Sequence, residues 1–199
     1  RKSTYETQQK LIEKQNNISN LIPQDFNLKL NIKIPENSVF FHYKHKMFKE
    51  LLEWDYQNVK KFIEYLAFKK GSVIFSSEIG NISSDQFFSN NFNSFDFVTK
   101  KENIINSKKI LFLKNIDGLN LYTAIKNSSE IIAPEGIITH IGYYQKKKIL
   151  SLMHFNLQNR QDFINQIISC KEWFPPDNFN FVVLKKNFDQ SIRKLDKRL

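Results

Sequence analysis

The chain has 199 residues, 41% hydrophobic and including 19 Phe, which is enough to build the core of one α/β domain with an appendage. Its formal net charge is +10, but the Lys and Arg are dispersed and form no single basic block. Cys170 is the one cysteine, so an intrachain disulfide and a Cys-based zinc site are excluded, and no apolar run reaches the ~18 residues of a membrane span.

Residues 1–22 are polar, with Leu11, Ile12, Ile18, Leu21 and Ile22 at roughly helical spacing. They read as one amphipathic helix ended by Pro23, followed by a loop with an extended piece over 28–34. Residues 1–34 are thus expected to be an N-terminal helix and linker, and 35–199 the domain proper. A short apolar strand is predicted over 39–42, then a basic loop over 43–53. Asp55 caps a helix that places Val59, Phe62, Ile63, Leu66 and Ala67 on one face, and Gly71 closes it. The next strand covers 72–75. Residues 80–106, rich in Asn, Ser and Phe, read as a loop with one short helix. A third strand covers 109–113, and Asp117 caps a further helix. A fourth strand, 130–132, enters the turn Pro134-Glu135-Gly136 and a helix carrying Thr139 and His140. A fifth strand covers 149–153. A helix over 161–170, a last strand over 179–184 and a basic helix over 189–199 complete the order.

Short apolar strands alternating with amphipathic helices predict an α/β, Rossmann-like parallel sheet with helices on both faces. Ligands of such sheets bind at the carboxyl ends of the strands. The loops at 43–53, 76–80, 115–118 and 133–139 should therefore converge there. No internal repeat, Walker A or GxGxxG sequence is present.

Gly136 to Thr139 open a helix whose first N–H groups and positive end suit a diphosphate, with the Thr139 hydroxyl as a further donor. The plainer reading is a helix start with a Gly that relieves crowding. Lys44 and Lys46, beside His42 and His45, can neutralise a diphosphate leaving group without a metal; as a plain feature they form a solvated basic loop. The histidines have no metal spacing with any partner, so no metal site is expected. Glu78 can accept two hydrogen bonds from ribose hydroxyls, or be an exposed loop carboxylate. Glu135 at a helix start favours the dipole, and His140 reads as a packing histidine. Trp54, Trp173, Phe87, Phe88 and the aromatics over 92–97 can stack on bases, but core packing explains them better. The pairs Arg193-Lys194 and Lys197-Arg198 suit an anionic membrane surface or a solvated helix face.

Three blocks resemble the C-terminal, donor-binding half of GT-B glycosyltransferases, closest to the heptosyltransferase-like family. The first is Ser38-Val39-Phe40-Phe41-His42 with Trp54, Asn58 and Phe62-Ile63-Glu64-Tyr65-Leu66. The second is Gly71-Ser72-Val73-Ile74-Phe75-Ser76-Ser77-Glu78. The third runs over 119–153 and holds the Pro134-Glu135-Gly136 turn, His140 and a basic Lys before the next strand. The chain departs from the family at Glu135, where Asp is usual, and at Ile137, where Gly is usual, Gly136 lying one position earlier. The resemblance covers about 35–184. It implies a metal-independent transferase with no cofactor, binding a nucleotide-diphosphate-sugar donor through Lys44, Lys46, Glu78, Glu135, Gly136, Thr139 and His140. In that family Glu135 would face the donor sugar or acceptor, and His140 would contact the donor. The catalytic base would belong to an N-terminal acceptor domain outside this chain, which starts at Arg1 and is expected to be a fragment. The product would be a glycan or lipopolysaccharide-type polymer of bacteria. The expected setting is cytoplasmic, at the inner face of the membrane, with nucleic acid disfavoured as a partner. The alternative is a non-catalytic basic α/β module that binds nucleic acid or a protein, which would show steep salt dependence.

Overall fold

The computed structural model describes residues 37–105, 109–154, 161, 164, 165, 167, 168 and 179–199. The expected N-terminal helix, the extended piece over 28–34 and Trp173 lie outside this set. So does part of the 161–170 helix, whose described residues are helical.

The strands are β1 (Val39–Tyr43), β2 (Val73–Ser77), β3 (Asn93–Asp96), β4 (Lys101–Asn103), β5 (Ile110–Lys114), β6 (Glu130–Pro134), β7 (Lys148–His154) and β8 (Phe179–Leu184). They form one sheet in the order β4-β3-β5-β2-β1-β6-β7-β8. Every pairing is parallel except β3 with β4 at the edge. The helices are α1 (Tyr56–Lys70), α2 (Ile82–Asn91), α3 (Gly118–Lys126), α4 (Ile137–Tyr144) and α5 (Phe188–Asp196). The fold is the expected α/β, Rossmann-like architecture.

Local chemistry explains the element starts. The Asp55 carboxylate accepts the Asn58 N–H at 2.7 Å, and Asp117 accepts those of Leu119 and Asn120 at 3.0 and 2.9 Å. Each satisfies donors that an opening helix leaves without partners. Strand alternation then divides the core in two. Phe41, Phe75, Phe112 and Ile132 face α1 and α2, where Phe62, Leu66 and Phe88 meet them. Phe40, Ile74, Ile131 and Ile149 face the other way, against Ala124, Ile125 and Ile138 of α3 and α4.

The region over 80–106 is more ordered than its composition suggests. It forms α2 and the β3–β4 pair, because Phe88 and Phe92 pack on Phe75 with ring centroids 5.2 and 5.4 Å away. Phe88, Phe92 and Phe95 are core residues. Helix α5 returns to α1: the Tyr65 hydroxyl donates to Asp196 at 2.7 Å, and Lys69 pairs with the same carboxylate at 2.5 Å.

Gly142 lets α4 sit close to the sheet. A Cβ there would lie 2.9 Å from Cγ1 of the fully buried Ile131. Gly142→Val is therefore expected to overpack this contact and cost about 1–3 kcal/mol in urea unfolding. An unchanged midpoint would refute close packing as the reason for glycine here.

Candidate functional site

Strand order reverses between β1 and β6. From β1 the chain builds one side of the sheet with β2 to β5, β5 returning to lie beside β2; from β6 it moves the other way through β7 and β8. The crevice at the carboxyl ends of such a strand pair is the usual ligand site of a parallel sheet. Here the register between the two strands ends before either strand does. The β1–β6 pairing stops at Phe41–Ile132, whereas β1 stays paired with β2 to Tyr43–Ser77 and β6 with β7 to Pro134–Leu152. Pro134 has no N–H with which to extend this ladder, so the last two residues of β1 and of β6 share no register, and the loops that follow flank the strand pair.

After β1 the expected plain basic loop is a π-helical turn, Lys46–Leu51. Met47 and Phe48 anchor it in the core, with the Phe48 ring stacked on Tyr43 at 5.5 Å. An apolar pair inside a basic stretch is the signal that sequence reading passed over. The Lys44 carbonyl accepts the N–H groups of Met47 and Phe48, both at 3.1 Å. This fixes the backbone from which the half-buried Lys44 extends, while Lys46 is exposed. The Tyr43 hydroxyl lies 3.3 Å from His45 Nδ1. Burial first, then Tyr56 and Glu78, push this phenol above its ordinary value, so it stays protonated.

Glu78 ends the β2 loop and accepts the His45 N–H at 2.7 Å. One carboxylate oxygen thus ties the loops after β1 and β2 together, and the group retains further acceptor capacity.

On the β6 side, Gly136 has φ 153° and no atom within 4 Å of where a Cβ would stand. Its backbone can be approached closely from the crevice. The Gly136 carbonyl accepts the Thr139 hydroxyl at 2.7 Å and the N–H groups of Thr139 and His140 at 3.1 and 3.3 Å. The Gly136 N–H points at Thr139 Oγ1 at 3.3 Å. Thr139 is fully buried, so its hydroxyl shapes the turn from beneath. Ile137 and Ile138 then supply the amides at the helix mouth. Glu135 and His140 are half-buried beside it. The structure thus gathers Glu135, Gly136, Thr139 and His140 at one end of α4, and Lys44, Lys46 and Glu78 on the loops after β1 and β2.

His42 falls in the strand expected over 39–42, and its contact with the next strand is what the sequence did not indicate. His42 lies within β1, and its Nδ1 is 2.9 Å from Ser76 Oγ on β2. Burial, with the Lys44 charge second, lowers its pKa from 6.5 to about 4, so the imidazole is neutral at neutral pH. Its shared parity with Phe40 on an apolar strand is the sequence signal for an inward-facing ring.

Among the described residues no cluster of three His, Cys, Asp or Glu could hold a metal ion, and no helix is long and apolar enough to cross a membrane. A cavity of about 380 Å³ opens at the opposite, amino ends of β6–β8, lined by Lys70, Glu130, Lys148, Asn180 and Arg198. It is away from the crevice, and the Lys70–Glu130 ion pair at 2.7 Å forms part of its wall.

No protein-family model and no curated protein matches the chain. Among solved structures it is similar to the UDP-GlcNAc 2-epimerase of Methanocaldococcus jannaschii in complex with UDP-GlcNAc and UDP. That likeness has 14% identity and a TM-score of 0.46 over 94% of this chain and 43% of that one. A glycosyl transferase family 9 protein of Veillonella parvula is similar at 13% identity and TM-score 0.46, over 83% and 40%. The CMP N-glycosidase of Clostridium botulinum is similar at 15% identity and TM-score 0.38, over 81% and 100%. The chain spans about two-fifths of the length of the epimerase and family 9 structures. Likeness at this level assigns neither family nor chemistry.

Proposed function

We propose that the crevice between β1 and β6 binds a nucleoside diphosphate sugar, and that the chain is the donor-holding half of a two-domain, GT-B-type sugar transferase of the heptosyltransferase-like kind. The observation that carries this reading is the reversal of strand order at β1 and β6, where the shared register ends two residues before either strand does and the Gly136 turn follows. A backbone with open space, a helix N-terminus and the loop that carries Lys44 then follow this strand pair. The amides of Ile137 and Ile138 and the positive end of α4 suit the diphosphate, and Lys44 offsets the charge that develops on it as the sugar departs. Glu78 and Glu135 are acceptors for sugar hydroxyls, and His140 completes that side. The acceptor and the base that activates it belong to a second domain. Exposed Arg193, Lys194, Lys197 and Arg198 on and just beyond α5 suit contact with an anionic membrane that carries the acceptor.

Calorimetric titration with UDP, GDP, ADP and their sugars tests this directly. Saturable binding to at least one is expected. Gly136→Val, which fills the open space, and Lys44→Ala should each weaken it by about tenfold or more, about 1.4 kcal/mol. Lys148→Ala, at the amino end of β7, removes the same charge away from the crevice and should leave affinity unchanged. Absence of binding at millimolar nucleotide, together with steeply salt-dependent binding to random oligonucleotides, would favour a nucleic-acid module instead.

A further inference from the structure

One level back from the crevice, the sheet face toward α4 is apolar, carrying Phe40, Ile74, Ile131 and Ile149. At the carboxyl ends of β1 and β2 it becomes polar. His42 and Ser76 are register partners on adjacent strands. The β1–β6 register ends at Phe41–Ile132, one residue short of His42, so on that side the ring has no register partner. The ring is half-buried, Ser76 is 1% exposed, and Nδ1 is engaged by Ser76 at 2.9 Å. Among the described residues, Nε2 has no partner.

A buried imidazole with one nitrogen fixed and the other open is a directional hydrogen-bonding group. Depending on the tautomer that the Ser76 hydroxyl selects, Nε2 donates or accepts, and a hydroxyl can answer either role whereas a phosphate oxygen only accepts. His42 is the penultimate residue of β1 and Lys44 is two residues on, which puts the ring at the strand end from which the proposed diphosphate site opens. We infer that His42, held in orientation by Ser76, hydrogen-bonds through Nε2 to an uncharged hydroxyl of the sugar that adjoins the diphosphate. The hydroxyl belongs to the transferred sugar or to the ribose, and the inference rests on the nucleotide-sugar reading above. Ser76 is a positioning residue that acts through His42.

The test is titration of the wild type, His42→Phe, His42→Gln and Ser76→Ala with UDP and UDP-GlcNAc at one pH. The ¹⁵N signal of His42 Nε2 is followed in the wild type. His42→Phe should weaken UDP-GlcNAc binding by about tenfold, consistent with the loss of one partnered hydrogen bond. His42→Gln should recover part of that loss, and the wild-type Nε2 signal should shift on saturation. A loss confined to UDP-GlcNAc identifies the transferred sugar, and an equal loss for UDP identifies the ribose. Equal affinities in the wild type and a folded His42→Phe, or an unmoved Nε2 signal on saturation, would overturn the inference while leaving the nucleotide site intact. Failure of the wild type to bind either ligand would overturn the nucleotide-sugar reading and this inference with it.

Discussion

Trp54→Ala is expected to lower folding stability by about 3–5 kcal/mol, measured by urea unfolding. The side chain is 1% exposed. Its ring meets Phe48 at 5.8 Å, Phe62 at 5.7 Å and Phe188 at 5.0 Å, the last edge-on. Three elements therefore lose a shared wall: the π-helical turn, α1 and α5. The indole N–H also donates to the carbonyls of Lys185 and Lys186 at 3.1 and 3.0 Å. On truncation the Lys186 carbonyl loses this donor, whereas that of Lys185 keeps the Ser191 hydroxyl at 2.9 Å. Trp54→Phe separates the two contributions. It keeps most of the apolar contact and removes the hydrogen bond, so a loss of about 1–2 kcal/mol is expected. Equal losses in the two variants would show that the indole N–H, rather than ring packing, dominates.

Acid should destabilise the fold through His42. Its folded pKa, about 4, is below the ordinary 6.5. Between these values the unfolded chain binds a proton that the folded chain refuses, so stability rises with pH across the window. The contribution is complete above pH 6.5 and is lost as pH falls to about 4. At about 1.4 kcal/mol per unit, this amounts to up to about 3 kcal/mol. His154 is lowered by burial and by Lys186 and acts in the same direction, whereas burial raises Asp85, which acts in the opposite one. Comparing wild type with His42→Gln isolates the term: the variant should lose less stability between pH 7 and pH 4. Parallel curves would mean that His42 titrates as an ordinary histidine.

The parts of this fold that announce themselves in the sequence have local causes. Asp55 and Asp117 mark helix starts by their own hydrogen bonds, and the apolar runs of β1, β2, β5, β6, β7 and β8 are short strands buried in a parallel sheet. The parts that stay hidden depend on distant partners. Helix α2 is the short helix expected somewhere in 80–106, but its opening Ile82-Ser83-Ser84-Asp85 does not mark where it starts. It is secured by Asn81, which accepts the Ser84 N–H at 3.1 Å, and by Phe88 packing on Phe112 at 5.5 Å. Strand β4 is exposed at all three residues and exists only as a partner for β3.

The candidate site divides in the same way. The Gly136 turn is legible because a glycine after an apolar strand and before a helix has few other uses. The inward turn of the Thr139 hydroxyl, the bond between Glu78 and the His45 amide, and the meeting of His42 with Ser76 all depend on the register between strands. One-dimensional spacing does not carry that information.

The short register between β1 and β6 also bears on how the molecule coheres. β1 and β2 pair at five positions, as do β6 and β7, but only three positions join β1 to β6. Those three link Phe41 to Ile132, about ninety positions along the chain, so closing this seam carries the larger loop-closure entropy. The crevice sits on the seam between two more locally paired halves. A ligand spanning it would touch both halves at once and act as a clasp, so that occupancy and cohesion of the sheet rise together.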